Sequence, residues 1–101
     1  MSTNSKLIKI ASGAFQHWCP GCGVKHMFFT KECTLVKTHW LWNESYEKPT
    51  VIPSIKHRIY NGDKTIICHY RIIDGNIIYD KDTTHEYCGQ MIELLDVSLF
   101  K

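Results

Sequence analysis

Runs of Ile and Tyr mark the middle of the chain. KHRIY and DKTIICHYRII flank Asn61-Gly62, and NIIYD follows Asp74-Gly75. Both dipeptides are hairpin signals, because a type I′ turn needs φ > 0 at both central residues. β-Branched and aromatic flanks suit a pleated, half-buried surface. The pattern predicts a three-strand antiparallel meander over 51–60, 63–73 and 76–81. With two-residue turns, Tyr60 faces Asp63, Ile55 faces Cys68 and Ser54 faces His69. In the second hairpin Ile73 faces Asn76 and His69 faces Asp80. Side chains alternate between faces. One face then carries Val51, Ile55, Ile66, Cys68, Tyr70, Ile72, Ile77 and Tyr79 and reads as core. The other carries Ser54, Lys56, His69, Arg71, Asp80 and Asp82 among Ile52, Ile67 and Ile78, and is where a site would be exposed.

Upstream, Met27–Thr30 and Thr34–Trp42 read as short strands, the second because Val36, Thr38, Trp40 and Trp42 alternate with Leu35, Lys37, His39 and Leu41. NESYEKPT is a polar loop, and Pro53 restricts its strand to an edge or a bulge. After Gly89 a final strand is expected. The fold class is mainly β, with a small α+β arrangement as the variant: an antiparallel meander joined to a Cys-Pro-x-Cys knuckle. Its 101 residues fit a single domain, 1–101, with residues 1–6 read as a frayed start.

A hydrophobic fraction of 44% and an aromatic fraction of 12% are those of a globular chain. The net charge of +2, with basic residues scattered, provides no field argument for nucleic acid and leaves such a partner open. No segment approaches the roughly 20 apolar residues of a membrane helix, and the first residues hold too short an apolar stretch for a secretory signal. Five cysteines, an odd number, argue against a secreted disulfide framework and for a cytoplasmic location.

Trp18-Cys19-Pro20-Gly21-Cys22-Gly23 is the most specific signal. Two cysteines at this spacing wrap a tight turn so that both sulfurs meet one ion, which points to zinc. A thioredoxin-like use of the same spacing needs a long amphipathic helix afterwards, and GVKHMFFTKECT does not supply one. The remaining ligands come from His26, Cys33, Cys68, His69, His85 and Cys88. Cys68 and His69 are adjacent on a strand and point to opposite faces, so they do not share an ion. The expected set is Cys19, Cys22, Cys68 and His85, with His69 as first substitute. Cys33 and Cys88 read as core or surface thiols, and His17, His39 and His57 as packed or solvated residues.

The order of these pieces resembles a family of small zinc-binding-type proteins of tailed bacteriophages and prophages. The resembling pieces are Cys19-Pro-Gly-Cys22-Gly with His26, Trp40-Leu-Trp42-Asn43, Pro49-Thr50 with Pro53-Ser54, Cys68-His69, Ile72-x-Asp74-Gly75-x-Ile77, Asp82-x-x-His85 and Gly89. The resemblance implies a phage origin, a bacterial host cytoplasm and a zinc-bearing fold. Members often carry Cys or Ser where this chain has Thr83, which removes that position from the ligand candidates.

Two functions compete. The favoured one is a binding or inhibitory module engaging a host or phage macromolecule, with protein preferred as partner and counter-defence as context. Trp40, Trp42 and Tyr46 would be its contact residues, since Trp and Tyr dominate interface hot spots. Packing of both tryptophans on the knuckle is the competing account. The alternative function is a small zinc-dependent hydrolase using a His/Asp cluster, with Ser54, His69 and Asp82 as catalytic residues. The register puts Ser54, His69 and Asp80 in one cross-strand row, with Asp82 close by, and a Ser–His–carboxylate row has the chemistry of nucleophile activation. Against it, cross-strand side chains run parallel at about 5 Å, and no glycine loop for an oxyanion accompanies Ser54.

Overall fold

The computed structural model describes residues 5–100, so most of the segment read as frayed lies outside the described residues. Of that segment, the Lys6 amide donates to the Tyr46 carbonyl, and the Ser5 carbonyl accepts from Val97. Among the described residues, eight strands form two antiparallel sheets. The first holds β1 (Ile8–Ala11), β2 (Ala14–Cys19) and β3 (Val24–Phe29) in that order. The second holds β4 (Leu41–Trp42), β5 (Val51–Asn61), β6 (Lys64–Ile73), β7 (Asn76–Tyr79) and β8 (Met91–Glu93). A short 3-10 turn, Val97–Leu99, follows. The mainly β, antiparallel architecture agrees with the sequence pattern, including the strand after Gly89. No helix among the described residues is long and apolar enough to cross a membrane.

The sheets meet through their apolar faces. Phe15, Cys19 and Phe28 from the first pack with Val51, Ile55, Cys68, Tyr70, Ile72, Ile77 and Tyr79 from the second, and Leu7 and Leu94 complete the core. All of the second-sheet residues in this set lie on the face expected to be core. A polar seam crosses it: the Tyr70 hydroxyl lies 2.8 Å from His17 Nε2 and 3.1 Å from His57 Nε2. Burial pushes His17 down to about 3 and His57 to about 4, with His26 adding to both shifts, so both rings are neutral at pH 7.

The β6–β7 hairpin has the expected register, Ile73 opposite Asn76, with Asp74 and Gly75 both at positive φ. The β5–β6 hairpin differs. Asn61 pairs with Lys64, so Gly62 and Asp63 form the turn, and Gly62 at φ 63° occupies its first central position. That is the Gly-first geometry of a type II′ turn, not the Asn-Gly type I′ turn. Ile55 consequently faces Tyr70, and His69 faces Lys56 where Ser54 was expected. Partners slide by two residues, and because strand side chains repeat with period two the core face survives.

The run Thr34–Trp42 is a strand only over Leu41–Trp42. Leu35 is 91% exposed, and the loop is held locally: the Cys33 amide donates to the Thr30 carbonyl, and His39 Nε2 to the Cys33 carbonyl at 2.9 Å. Alternation without a partner strand did not suffice. The strands β1 and β2 were not anticipated at all, although Ala14, Phe15, His17 and Cys19 are buried along β2.

Candidate functional site

Between paired Val51–Ile72 and Ile55–Tyr70, β5 spends Ile52, Pro53 and Ser54 where β6 spends Arg71 alone. Pro53 cannot donate to a ladder, so an irregularity here is its natural place. The distortion swings Ser54 towards His69, and the expected parallel, non-converging row does not arise. Ser54 Oγ lies 2.9 Å from His69 Nε2, and His69 Nδ1 lies 2.8 Å from Asp82 Oδ1. With the ring proton on Nδ1, His69 donates to Asp82 and accepts from the Ser54 hydroxyl.

The segment after β7 holds the third member. The Asp80 amide donates to the His69 carbonyl, and the Thr84 amide to the Ile67 carbonyl. Between them the buried Thr83 hydroxyl donates to the His69 carbonyl at 2.7 Å and accepts from the His69 amide at 3.0 Å. One threonine therefore clamps the backbone of the imidazole that its neighbour Asp82 contacts. Lys56 Nζ lies 3.1 Å from the other Asp82 oxygen. The hydrogen bond from His69, aided by Lys56, holds the Asp82 carboxyl below its ordinary range. Asp80 approaches His69 Nε2 at 3.4 Å and pairs with Arg71. The row is solvent-accessible, with Asp82 43% exposed.

On the opposite face of β6, Cys68 points inward. One ligand atom each from Cys19, Cys22, His26 and Cys68 lies within 4.8 Å of the others, close enough to hold a metal ion. The β2–β3 hairpin supplies three of the four: Cys19 ends β2, Cys22 lies in the turn, and His26 is on β3 opposite His17. His26 Nε2, like His17 Nδ1, is buried without a hydrogen-bond partner among the described residues, a costly state for an imidazole nitrogen, and His26 also has a ring nitrogen within reach of the three sulfurs. The thiols crowd one another. Hydrogen bonds from Cys22 and Cys68 pull Cys19 down, while the same contact with Cys19 pushes Cys22 up to about 11 and Cys68 higher still. A cation is what allows several such thiolates to coexist.

His85, expected as the fourth ligand, stands just outside this group. Its Nδ1 accepts from the Tyr87 amide at 3.2 Å, which leaves Nε2 as the donor towards Cys68 Sγ at 3.6 Å. The Tyr79 hydroxyl similarly lies 3.1 Å from Cys19 Sγ. Both groups touch a cysteine sulfur from outside the cluster and help fix its orientation. The His85 ring covers Gly21, so any Cβ there would displace the ring from the knuckle. His69, the substitute ligand, faces away from the cluster. Cys33 is buried and Cys88 exposed, and all five cysteines are free thiols.

The expected contact residues Trp40, Trp42 and Tyr46 line one cavity with Phe15. Trp42 packs on Phe15 with ring centroids 4.5 Å apart, and both tryptophans lie against the core that holds Cys19. Trp40 Nε1 donates to the Ser54 carbonyl at 3.2 Å.

The family model described as "Bacterial ubiquitination-like system serine protease (BubE)" matches residues 2–79. Ser54, His69 and all four clustered Cys and His residues fall within the match, and Asp82 lies just beyond it. The description names a bacterial system and no phage. No curated protein and no solved structure gives a match.

Proposed function

This chain belongs to the BubE family of bacterial ubiquitination-like system serine proteases, and from that premise we propose that it hydrolyses peptide bonds with Ser54 as nucleophile, His69 as general base and Asp82 as orienting carboxylate. The observation that carries the reading is the continuous hydrogen-bonded chain from Ser54 Oγ through His69 to Asp82, at 2.9 and 2.8 Å. Ser54 Oγ attacks the scissile carbonyl carbon as its proton passes to Nε2. The tetrahedral intermediate collapses, Nε2 returns the proton to the departing amine, and an acyl-Ser54 ester remains. Water, deprotonated by the same nitrogen, cleaves that ester and restores the hydroxyl. Asp82 keeps Nδ1 protonated and balances the imidazolium; Lys56 holds its second oxygen.

The metal belongs to the fold in this reading. Three thiols and an imidazole form a donor set suited to zinc in a closed structural site, through Cys19, Cys22, Cys68 and His26. Bound zinc would supply folding free energy, and the hydrolytic steps above involve Ser54, His69 and Asp82. The substrate is a protein of the bacterial ubiquitination-like system. Trp40, Trp42 and Tyr46 then contact a substrate where a pure binding module would contact a partner.

The test is cleavage of the ubiquitin-like protein of such a system, followed by intact mass. Wild type should cleave it, Ser54→Ala should not, and Asp82→Asn should lose on the order of 10³–10⁴-fold in kcat. Equal cleavage by Ser54→Ala would remove the assignment.

A further inference from the structure

A cavity of about 750 Å³ opens next to the nucleophile, and neither the triad nor the metal cluster uses it. Phe15, Trp40, Leu41, Trp42, Ile52 and Pro53 supply its apolar lining. Its continuity with Ser54 is covalent and hydrogen-bonded. Pro53 is the residue before the nucleophile, and the Trp40 indole donates to the Ser54 carbonyl at 3.2 Å. Ile52 and Ser54 are two residues apart on β5, and Leu41 pairs with Ile52.

Two lining residues stand unusually open for aliphatic side chains beside a site: Leu41 is 73% and Ile52 56% exposed. Apolar surface set against polar groups marks a place where something binds. The backbone beside it is open as well. β4 pairs only Leu41 and Trp42 with Ile52 and Val51, so past Pro53 that side of β5 has no strand partner among the described residues. An unpaired edge is a template for an extended chain, whose backbone pairs while alternate side chains enter pockets. Lys56 and Arg58 on the outward side of β5 are the charged residues that discourage pairing between copies of such an edge.

We propose that this cavity is the specificity pocket of the protease and takes a large apolar side chain, Leu, Phe or a similar residue, next to the scissile bond of an extended peptide lying along the open edge of β5. This deepens the serine-protease reading and rests on it for the role of Ser54. The occupant follows from the part of the lining contiguous with Ser54, where Trp40, Leu41, Ile52 and Pro53 gain from burying apolar surface; the charged lining residues Lys9, Lys31, Glu32 and Glu44 come from β1 and the loops and carry both signs equally, which favours neither a carboxylate nor an ammonium. Leu41, Ile52 and Trp40 are the residues that set the preference.

The experiment has a cleavage arm and a binding arm. Internally quenched peptides identical except for Leu, Phe, Ala, Asp or Lys at one position are digested by wild type, and the cut sites are read by mass spectrometry. Cleavage beside Leu or Phe should exceed that beside Asp by about 10- to 100-fold in kcat/KM. Leu41→Asp and Ile52→Asp, both at exposed positions, should erase most of that difference while Ala peptides are still cut. In the binding arm, Ser54→Ala is titrated with the same peptides and followed by tryptophan fluorescence. Leu and Phe peptides should bind more tightly than Asp peptides, and Ile52→Asp should remove the difference. Ser54-dependent cleavage without apolar preference would overturn the pocket and leave the protease standing. Selective binding of Leu and Phe peptides without any cleavage would keep the pocket and overturn the protease. Neither binding nor cleavage would overturn both.

Discussion

Cys68 and His69 are consecutive residues of β6 whose side chains leave opposite faces of one sheet. The Cys68 sulfur points into the Cys/His cluster, and the His69 ring lies between Ser54 and Asp82. Strand alternation produces this division. It means that the backbone presenting the proposed general base is the same one a metal would hold from behind.

The ion should therefore govern both fold and activity. Structural zinc contributes on the order of 10 kcal/mol or more in isolated peptides, comparable to the whole stability of a small domain. Chelation or Cys22→Ser should unfold or aggregate the chain, as read by thermal unfolding in circular dichroism alongside metal analysis. His26→Ala should lower metal content sharply. His85→Ala, which removes a donor to Cys68 and no ligand, should retain most of it. An apo protein with an unchanged midpoint would contradict the structural role.

Thr83 tests how the His69 imidazole is held. Its hydroxyl bonds both the amide and the carbonyl of His69 from a buried position. Thr83→Val should cost about 1–3 kcal/mol in denaturant unfolding and reduce kcat, because the His69 amide loses its Thr83 partner while the carbonyl keeps only the Asp80 amide. Thr83→Ser keeps the hydroxyl and should restore both. Indistinguishable behaviour of Val and Ser would show that the clamp contributes nothing.

Asp82 carries a pH signature. Its folded pKa lies below the ordinary 3.8, through the hydrogen bond from His69 and then Lys56. For a carboxyl with a depressed folded pKa, the stabilisation is present above the unfolded value and is lost as pH falls through the folded one. The Asp82 resonance in a carboxyl NMR titration should have a midpoint below 3.8, moving up in His69→Ala and, less so, in Lys56→Ala. A midpoint unmoved by His69→Ala would contradict the contact.

The sequence carried much of this site in readable form. Asn61-Gly62 and Asp74-Gly75 located the meander, and strand alternation separated Cys68 from His69 and grouped Ser54, His69 and Asp82 on one face. What it could not carry was convergence. An idealised ladder keeps cross-strand side chains parallel, and the irregularity at Pro53 that turns Ser54 onto His69 is a tertiary event; Pro53 signalled only that a bulge was permitted. The Gly62-Asp63 turn displaced the register because Asn61-Gly62 fits two turn geometries. His26 was among the ligand candidates, but placing it required the β2–β3 pairing, and β2 went unseen because a polar residue, His17, takes an inward position and a large apolar one, Trp18, an outward position.

Reaction with a fluorophosphonate, followed by peptide mass spectrometry of the metal-loaded protein, tests the assignment of Ser54 most directly. Such reagents phosphonylate a serine only when a neighbouring base activates it. The account predicts one adduct per chain, on the peptide containing Ser54, with labelling abolished in His69→Ala and strongly slowed in Asp82→Asn. Folded wild type that takes no label at Ser54, or labels equally well without His69, would contradict it.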